Sequence, residues 1–171
     1  MARVYTNSSQ QTIKPSPRLN IILFAFSNWQ LYLKSGMGFH TNDPRVVNAQ
    51  NGKKILPSAY GADIGTIIKP TQNLYMNVAG WYLFLEQEFV YVGDEAVVEP
   101  SGQTLRLGVD LSIRYQPLKW LFIHADVNYA FARAVGTPTE ESHIPLSAAF
   151  TSVGGLSMDF PIGIQGGLNY R

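Results

Sequence analysis

The sequence contains no cysteine, which excludes disulfides, thiolate metal ligands and a cysteine nucleophile. Charge is scarce as well: Asp, Glu, Lys and Arg together make up 15% of the chain, against about a quarter in ordinary globular proteins. An exterior so poor in charge does not meet water everywhere. The formal net charge of +1 gives no drive toward nucleic acid or an acidic partner. No apolar run is long enough for a helix to cross a bilayer. That leaves the closed β-barrel as the other way to satisfy every backbone hydrogen bond in lipid. Residues 1–11 form a polar lead-in with no charged-then-apolar export signal. A barrel has to be exported, so either a signal has been removed or the chain begins inside a longer one, and the second is favoured.

Apolar residues reach an ordinary 46%, and aromatic residues stand at 12%, with 9 Tyr, 9 Phe and 3 Trp. Low charge with many aromatics suits a membrane barrel with interfacial girdles, and equally a soluble β-sandwich. Alternation is more informative. Over 104–115, Leu105, Leu107, Val109, Leu111, Ile113 and Tyr115 share one parity, and Thr104, Arg106, Gly108, Asp110, Ser112 and Arg114 the other. A strand places these sets on opposite faces, whereas a helix scatters them. Over 120–133, Leu121, Ile123, Ala125, Val127, Tyr129 and Phe131 oppose His124, Asp126 and Asn128. Over 29–40, Trp29, Leu31, Leu33, Met37 and Phe39 oppose Gln30, Tyr32, Lys34 and His40. The faces of 74–91 are less clean, with Trp81, Leu83, Leu85, Phe89 and Tyr91 set against Glu86 and Glu88. Weaker strands over 18–26, 60–69, 144–158 and 163–171 bring the expectation to about eight.

Tight turns are expected at 27–28, 70–73, 116–119 and 159–162, and longer polar connections at 40–59, 92–103 and 134–143. That rhythm matches the short periplasmic turns and long extracellular loops of outer-membrane barrels. Trp29 then fits a periplasmic-side girdle, while Trp120 carries the parity of the polar face. Alternation alone allows the inverse arrangement, a soluble sheet with its apolar face inward. Strand length argues against it, since runs of about 12–18 residues exceed the usual 5–6.

At 36–45 the chain reads Gly-Met-Gly-Phe-His-Thr-Asn-Asp-Pro-Arg. This resembles the Gly-x-Gly-Phe-His-Ser-Asn-Asp-x-Arg signature of TonB-dependent outer-membrane receptors, with Thr41 and Pro44 departing from it. Leu56-Pro57-x-Ala59-x-Gly61-Ala62-Asp63-Ile64-Gly65 and the run from Glu88 to Asp94 are similar to later wall segments. So are Ser101 to Arg106 with Gly108, Arg114-Tyr115, Ile144-Pro145-Leu146 and Gly154-Gly155-Leu156. The resemblance covers the chain from about Leu19 onward. It implies that residues 1–171 are a single segment of a plug-filled barrel of about 22 strands. The expected fold is therefore all-β, an antiparallel up-and-down transmembrane β-barrel wall of about eight strands.

Two groups of residues are candidates for a site. One is a lumen-facing row of Glu86, Glu88, Arg106, Asp110, Arg114, His124 and Asp126, which either braces the wall and plug or touches ligand. Cross-strand pairs of this kind contribute roughly 0.2–1 kcal/mol each. The other is a rim motif of His40, Asn42, Asp43 and Arg45, read as a strand-ending turn or a ligand contact. Glu86 and Glu88 stand at a spacing that also permits two-carboxylate hydrolysis, but almost any such pair does. The histidines lack metal-ligand spacing, and nothing resembles a nucleophile elbow. No enzyme activity, metal or cofactor is expected. The resemblance implies energy-coupled uptake of a scarce siderophore, vitamin or glycan across the outer membrane of a Gram-negative bacterium. The partners implied are membrane lipid and lipopolysaccharide, the receptor's own plug and TonB, and a small ligand; nucleic acid is not among them. The competing reading is a complete eight-stranded barrel with a structural or adhesive role, which requires its first strand to pair with its last.

Overall fold

The structure, a computed structural model, describes residues 13–39, 56–92, 97–136, 142, 144 and 147–171, with the backbone alone for 88–92 and 97–101. Eight strands follow one another in sequence: β1 (Arg18–Phe26), β2 (Trp29–Phe39), β3 (Ser58–Thr71), β4 (Leu74–Val92), β5 (Val97–Leu118), β6 (Leu121–Val135), β7 (Phe150–Asp159) and β8 (Gln165–Tyr170). They form one antiparallel up-and-down sheet in the order β1 to β8. This is the architecture the alternation predicts, and the lengths carry the same message: β4 has 19 residues and β5 has 22.

The connection expected over 92–103 is much shorter, because β4 continues to Val92 and β5 begins at Val97. Pro100 sits inside that ladder opposite Phe89, next to register shifts at Glu88, where an irregular hairpin accommodates a residue without an N–H.

Among the described strands β1 pairs only with β2 and β8 only with β7. The pairing of first and last strands that a complete eight-stranded barrel needs is absent between them. A packed interior is absent too: among the described hydrophobic residues only Ala79, Ala132 and Ile144 are buried. Leu107, Val109, Tyr129 and Phe131 are exposed on one face. A soluble sheet does not leave such a surface bare.

The cross-strand register settles which residues share that face. Leu33 pairs with Ile64, Ile64 with Gly80, Gly80 with Val109 and Val109 with Tyr129. From this row the apolar face spreads along each strand. On β2 it runs from Trp29 through Leu31 and Leu33 to Phe39, and on β5 from Tyr115 through Leu111 to Leu105. Among the described positions between the short turns and a bulge at Glu86, Arg133 is the one charged residue on this face. The ten steps from Trp29 to Phe39 cover about 34 Å along the strand. At the 35–45° tilt of barrel strands, that is an apolar band about 25 Å tall.

Two polar groups on the apolar face, the Trp29 indole and the Thr66 hydroxyl, have partners at its short-turn end. Trp29 stacks on Phe26 at 5.9 Å and donates its indole N–H to Thr66 Oγ1 at 2.6 Å. Thr66 in turn donates to the Gln30 carbonyl at 3.1 Å. Trp120 lies in the β5–β6 turn and stacks on Phe160 at 4.7 Å, so its strand parity has no bearing on where it points.

Candidate functional site

On the opposite face the register brings together Arg106, Asp110 and Arg114 from β5 with His124 and Asp126 from β6. Five of the seven residues in the expected row therefore share one surface. They do so because the β5–β6 ladder keeps unbroken register from Gln103 to Tyr115, and alternation then fixes every side chain.

The row is held by specific contacts. Arg114 grips Asp126 through two bonds from one nitrogen, at 2.9 and 3.0 Å, and donates to the Ala125 and Ile113 carbonyls at 3.3 and 2.9 Å. The two side chains are 37% and 41% exposed, so screening keeps this pair to the modest energy of a surface ion pair. Asp110 accepts from both flanking strands: Trp81 Nε1 donates to its Oδ1 at 3.1 Å, and Asn128 donates to the same oxygen. A carboxylate taking two donors across three strands ties β4, β5 and β6 at one point.

Trp81 is the residue that sequence reasoning misplaced. Set there on the apolar face with Leu83 and Leu85, it pairs with Gly108 and so lies on the face of Asp110. The residues sharing the apolar face are instead Tyr82 and Phe84, opposite Leu107 and Leu105. A bulge caused the error. The register shifts between Leu85 and Glu88, where Leu85 opposes Thr104 and Glu88 opposes Gly102. An extra residue inverts the parity of everything beyond it, so counting back from Glu86 and Glu88 yields the wrong face. Counting forward from Asn77, which pairs with Ser112, yields the right one.

The indole of Trp81 lies against the backbone of β5. A Cβ added at Gly108 would stand 2.3 Å from the ring, so only glycine admits it. Tyr32 repeats the arrangement over Gly65, where a Cβ would meet the ring at 2.4 Å. Its hydroxyl crosses to β4 and donates to Asn77 Oδ1 at 3.1 Å, and the Lys34 ammonium sits 4.6 Å from the ring centroid. Two aromatic rings thus lie flat on the polar face, each tied at its polar tip. The face is not uniformly polar, since Ile67 and Leu83 share it.

Glu86 leaves the row. It falls at the bulge, where its carboxylate accepts from the Ser58 N–H at 2.7 Å and faces Lys14 Nζ at 3.7 Å. Lys14 also donates to Ser58 Oγ and to the Leu56 carbonyl at 3.0 Å. The cluster clips the segment before β1 to the start of β3 and the later part of β4. Glu86 lies twelve residues along β4 from Leu74, past the 9–11 or so that cross a bilayer. The Ser58 N–H bond, supported by Lys14, holds the Glu86 carboxyl below its usual value of 4.5. A depressed carboxylate contributes stability above its unfolded pKa and loses it as pH falls through the folded one. The clip is therefore expected to hold at neutral pH and release below pH 4.5. The Ser58 amide proton resonance should titrate there, and Glu86→Gln should abolish that titration; an amide that does not move would refute the clip.

Of the remaining expected site residues, Glu88 has its backbone paired with Gly102, and its side chain lies outside the described residues. The rim motif of His40, Asn42, Asp43 and Arg45 also lies outside them. Among the described residues no cluster of His, Asp or Glu is suited to a metal ion.

No protein-family model matches the chain, and no curated protein does. Solved structures do. The ferric citrate transporter FecA superposes with a TM-score of 0.69 at 19% identity, over 86% of this chain and 24% of that one. The fold is that of a TonB-dependent receptor barrel. The ferric-catecholate import receptor Fiu from E. coli K12 matches this barrel wall with a TM-score of 0.64 at 12% identity, over 83% of this chain and 22% of its own. The FrpB iron transporter from Neisseria meningitidis matches at 0.58 and 14%, over 85% and 24%. The chain thus spans about a quarter of the length of each TonB-dependent barrel it resembles.

Proposed function

We propose that this chain forms part of the wall of an outer-membrane transport receptor that takes up a scarce ligand by energy coupling. The apolar face meets lipid, and the face carrying Trp81, Arg106, Asp110, Arg114, His124 and Asp126 meets the lumen. One observation carries the reading: a continuous apolar surface, with Arg133 as its single charge among the described residues between the short turns and the bulge, backs directly onto a hydrogen-bonded polar surface. Only an environment without water on one side rewards that division. The structural neighbours are iron transporters by name, which favours a ferric complex over a vitamin or glycan. Plug and TonB contacts belong to the whole receptor. In it, Asp110 and the Arg114–Asp126 pair brace the wall against the plug, and Trp81 presents a ring to whatever passes.

The absence of cysteine makes the orientation directly testable. With the protein in vesicles, Leu111→Cys is expected to resist a charged, water-soluble maleimide until detergent is added. Its neighbour Ser112→Cys should react at once. Equal reactivity, or the reverse order, would refute the assignment. For the transport role, deleting the gene should impair growth on a ferric siderophore as sole iron source, and loss of growth on no iron source would count against it.

A further inference from the structure

The apolar face carries a furrow. Gly80 and Ala62 are small residues surrounded by large ones: Leu33 and Ile64 on one side, Tyr82, Leu107 and Tyr129 on the other. The open space over them is about 540 Å³, and its walls are almost wholly apolar. The register explains its shape. One cross-strand row runs Leu33, Ile64, Gly80, Val109, Tyr129, and the next runs Ser35, Ala62, Tyr82, Leu107, Phe131. The missing side chain at Gly80 opens a trough between the two rows that crosses the strands.

Gly80 does not serve the fold as Gly108 does. A Cβ added at Gly80 would meet nothing closer than a carbonyl oxygen at 4.0 Å. The space is therefore not filled by a neighbour within the chain. At its β6 end stand Tyr129 and Phe131, and the next same-face residue toward the loops is Arg133, paired with Leu105. Arg133 is the lone described charge on this face, about 13 Å along the strand from Tyr129.

We propose that this furrow seats one acyl chain of an outer-leaflet lipid of net negative charge, with its phosphate held by Arg133. The inference rests on the lipid-facing assignment above. An acyl chain matches the apolar lining of the trough. A cation displaced toward the long-loop end, where the leaflet's headgroups lie in a barrel, matches the anionic end of the same molecule. A bare apolar trough would suit any hydrocarbon, and Arg133 is what selects a lipid of net negative charge over a zwitterionic or neutral one.

The test uses the full chain in phosphatidylethanolamine vesicles doped with phosphatidylglycerol that carries a diazirine in its acyl chain. After irradiation, the labelled residues are mapped by mass spectrometry. Tyr82, Leu107 and Tyr129 should be labelled well above Leu23 or Ile123, which share the face but not the furrow. Gly80→Phe, which fills the trough, should erase that enrichment. Arg133→Gln, at an exposed strand end where folding is insensitive, should lower it about fivefold, the loss expected of one basic residue at an anionic surface. Phosphatidylcholine bearing the same diazirine should match the Arg133→Gln result. Uniform labelling of the apolar face, or enrichment that survives both substitutions, overturns the furrow and leaves the membrane orientation standing. Labelling that misses the apolar face altogether overturns both.

Discussion

Placing an arginine at Val109 should destabilise the inserted protein by about 2–4 kcal/mol. Val109 is 51% exposed at the middle of β5 on the apolar face, between Gly80 and Tyr129. With the apolar face toward lipid, as proposed, a cation there meets hydrocarbon, and outer-membrane barrels lose about that much for Arg at the bilayer midplane. The control is Ser157→Arg on β7, whose position lies on the opposite face beside Phe122. It should change stability by no more than about 0.5 kcal/mol, as substitutions away from packed features do. Reversible urea titration of vesicle-inserted protein measures both. Equal effects at the two positions, or a larger one at Ser157, would show that the sheet faces the other way.

The second large effect should come from Gly108→Val. Its Cβ alone would overlap the indole of Trp81 at 2.3 Å, and the contact is with a ring pinned at its N–H by Asp110. The ring has to lift. The overpacking costs about 1–3 kcal/mol, and the lost hydrogen bond to a charged group adds about 1.5–3 kcal/mol, less because the site is partly open to solvent. Trp81→Ala removes the obstacle. The double variant Gly108→Val with Trp81→Ala should therefore be less destabilised than the sum of the two single changes, the signature of residues in contact. Strict additivity would mean that Gly108 is small for some other reason.

Both effects depend on a face assignment, and the sequence made that assignment unevenly legible. On β5 and β6 one parity is apolar and the other holds Arg106, Asp110, Arg114, His124 and Asp126, so the faces could be read without coordinates. On β4 both parities are apolar around Trp81, Tyr82, Leu83, Phe84 and Leu85. The only charges available to break the tie were Glu86 and Glu88, and they lie beyond a bulge that inverts the count. The β4 bulge carries no glycine of its own, and such a bulge has no reliable residue signature. The order of the strands needed no more than alternation and turn spacing, because an up-and-down sheet pairs neighbours in sequence.

Contacts between side chains were legible only where they follow from register. The Arg114–Asp126 grip joins residues on adjacent strands, and their shared face was foreseeable. The Asp110 junction was not, because it needs Trp81 on the correct face. The Lys14–Ser58–Glu86 clip was equally hidden, since it links the segment before β1 to β3 and β4 across β2. Such contacts depend on where the chain lies after folding, and no period in the sequence encodes them. The furrow at Gly80 belongs to the same class. A glycine in a strand signals a close approach or a gap, and only the neighbours decide which.

The unequal lengths of the strands have a consequence for how the molecule meets its surroundings. A crossing needs about 9–11 residues, yet β5 has 22 and its partner β4 has 19. In the proposed membrane orientation, roughly half of that hairpin stands clear of the bilayer as a ladder-bonded spire, beyond the described ends of β3 and β6. In that orientation a protease arriving from the long-loop side would strike the spire first, and its removal would leave the apolar rows beneath it in place.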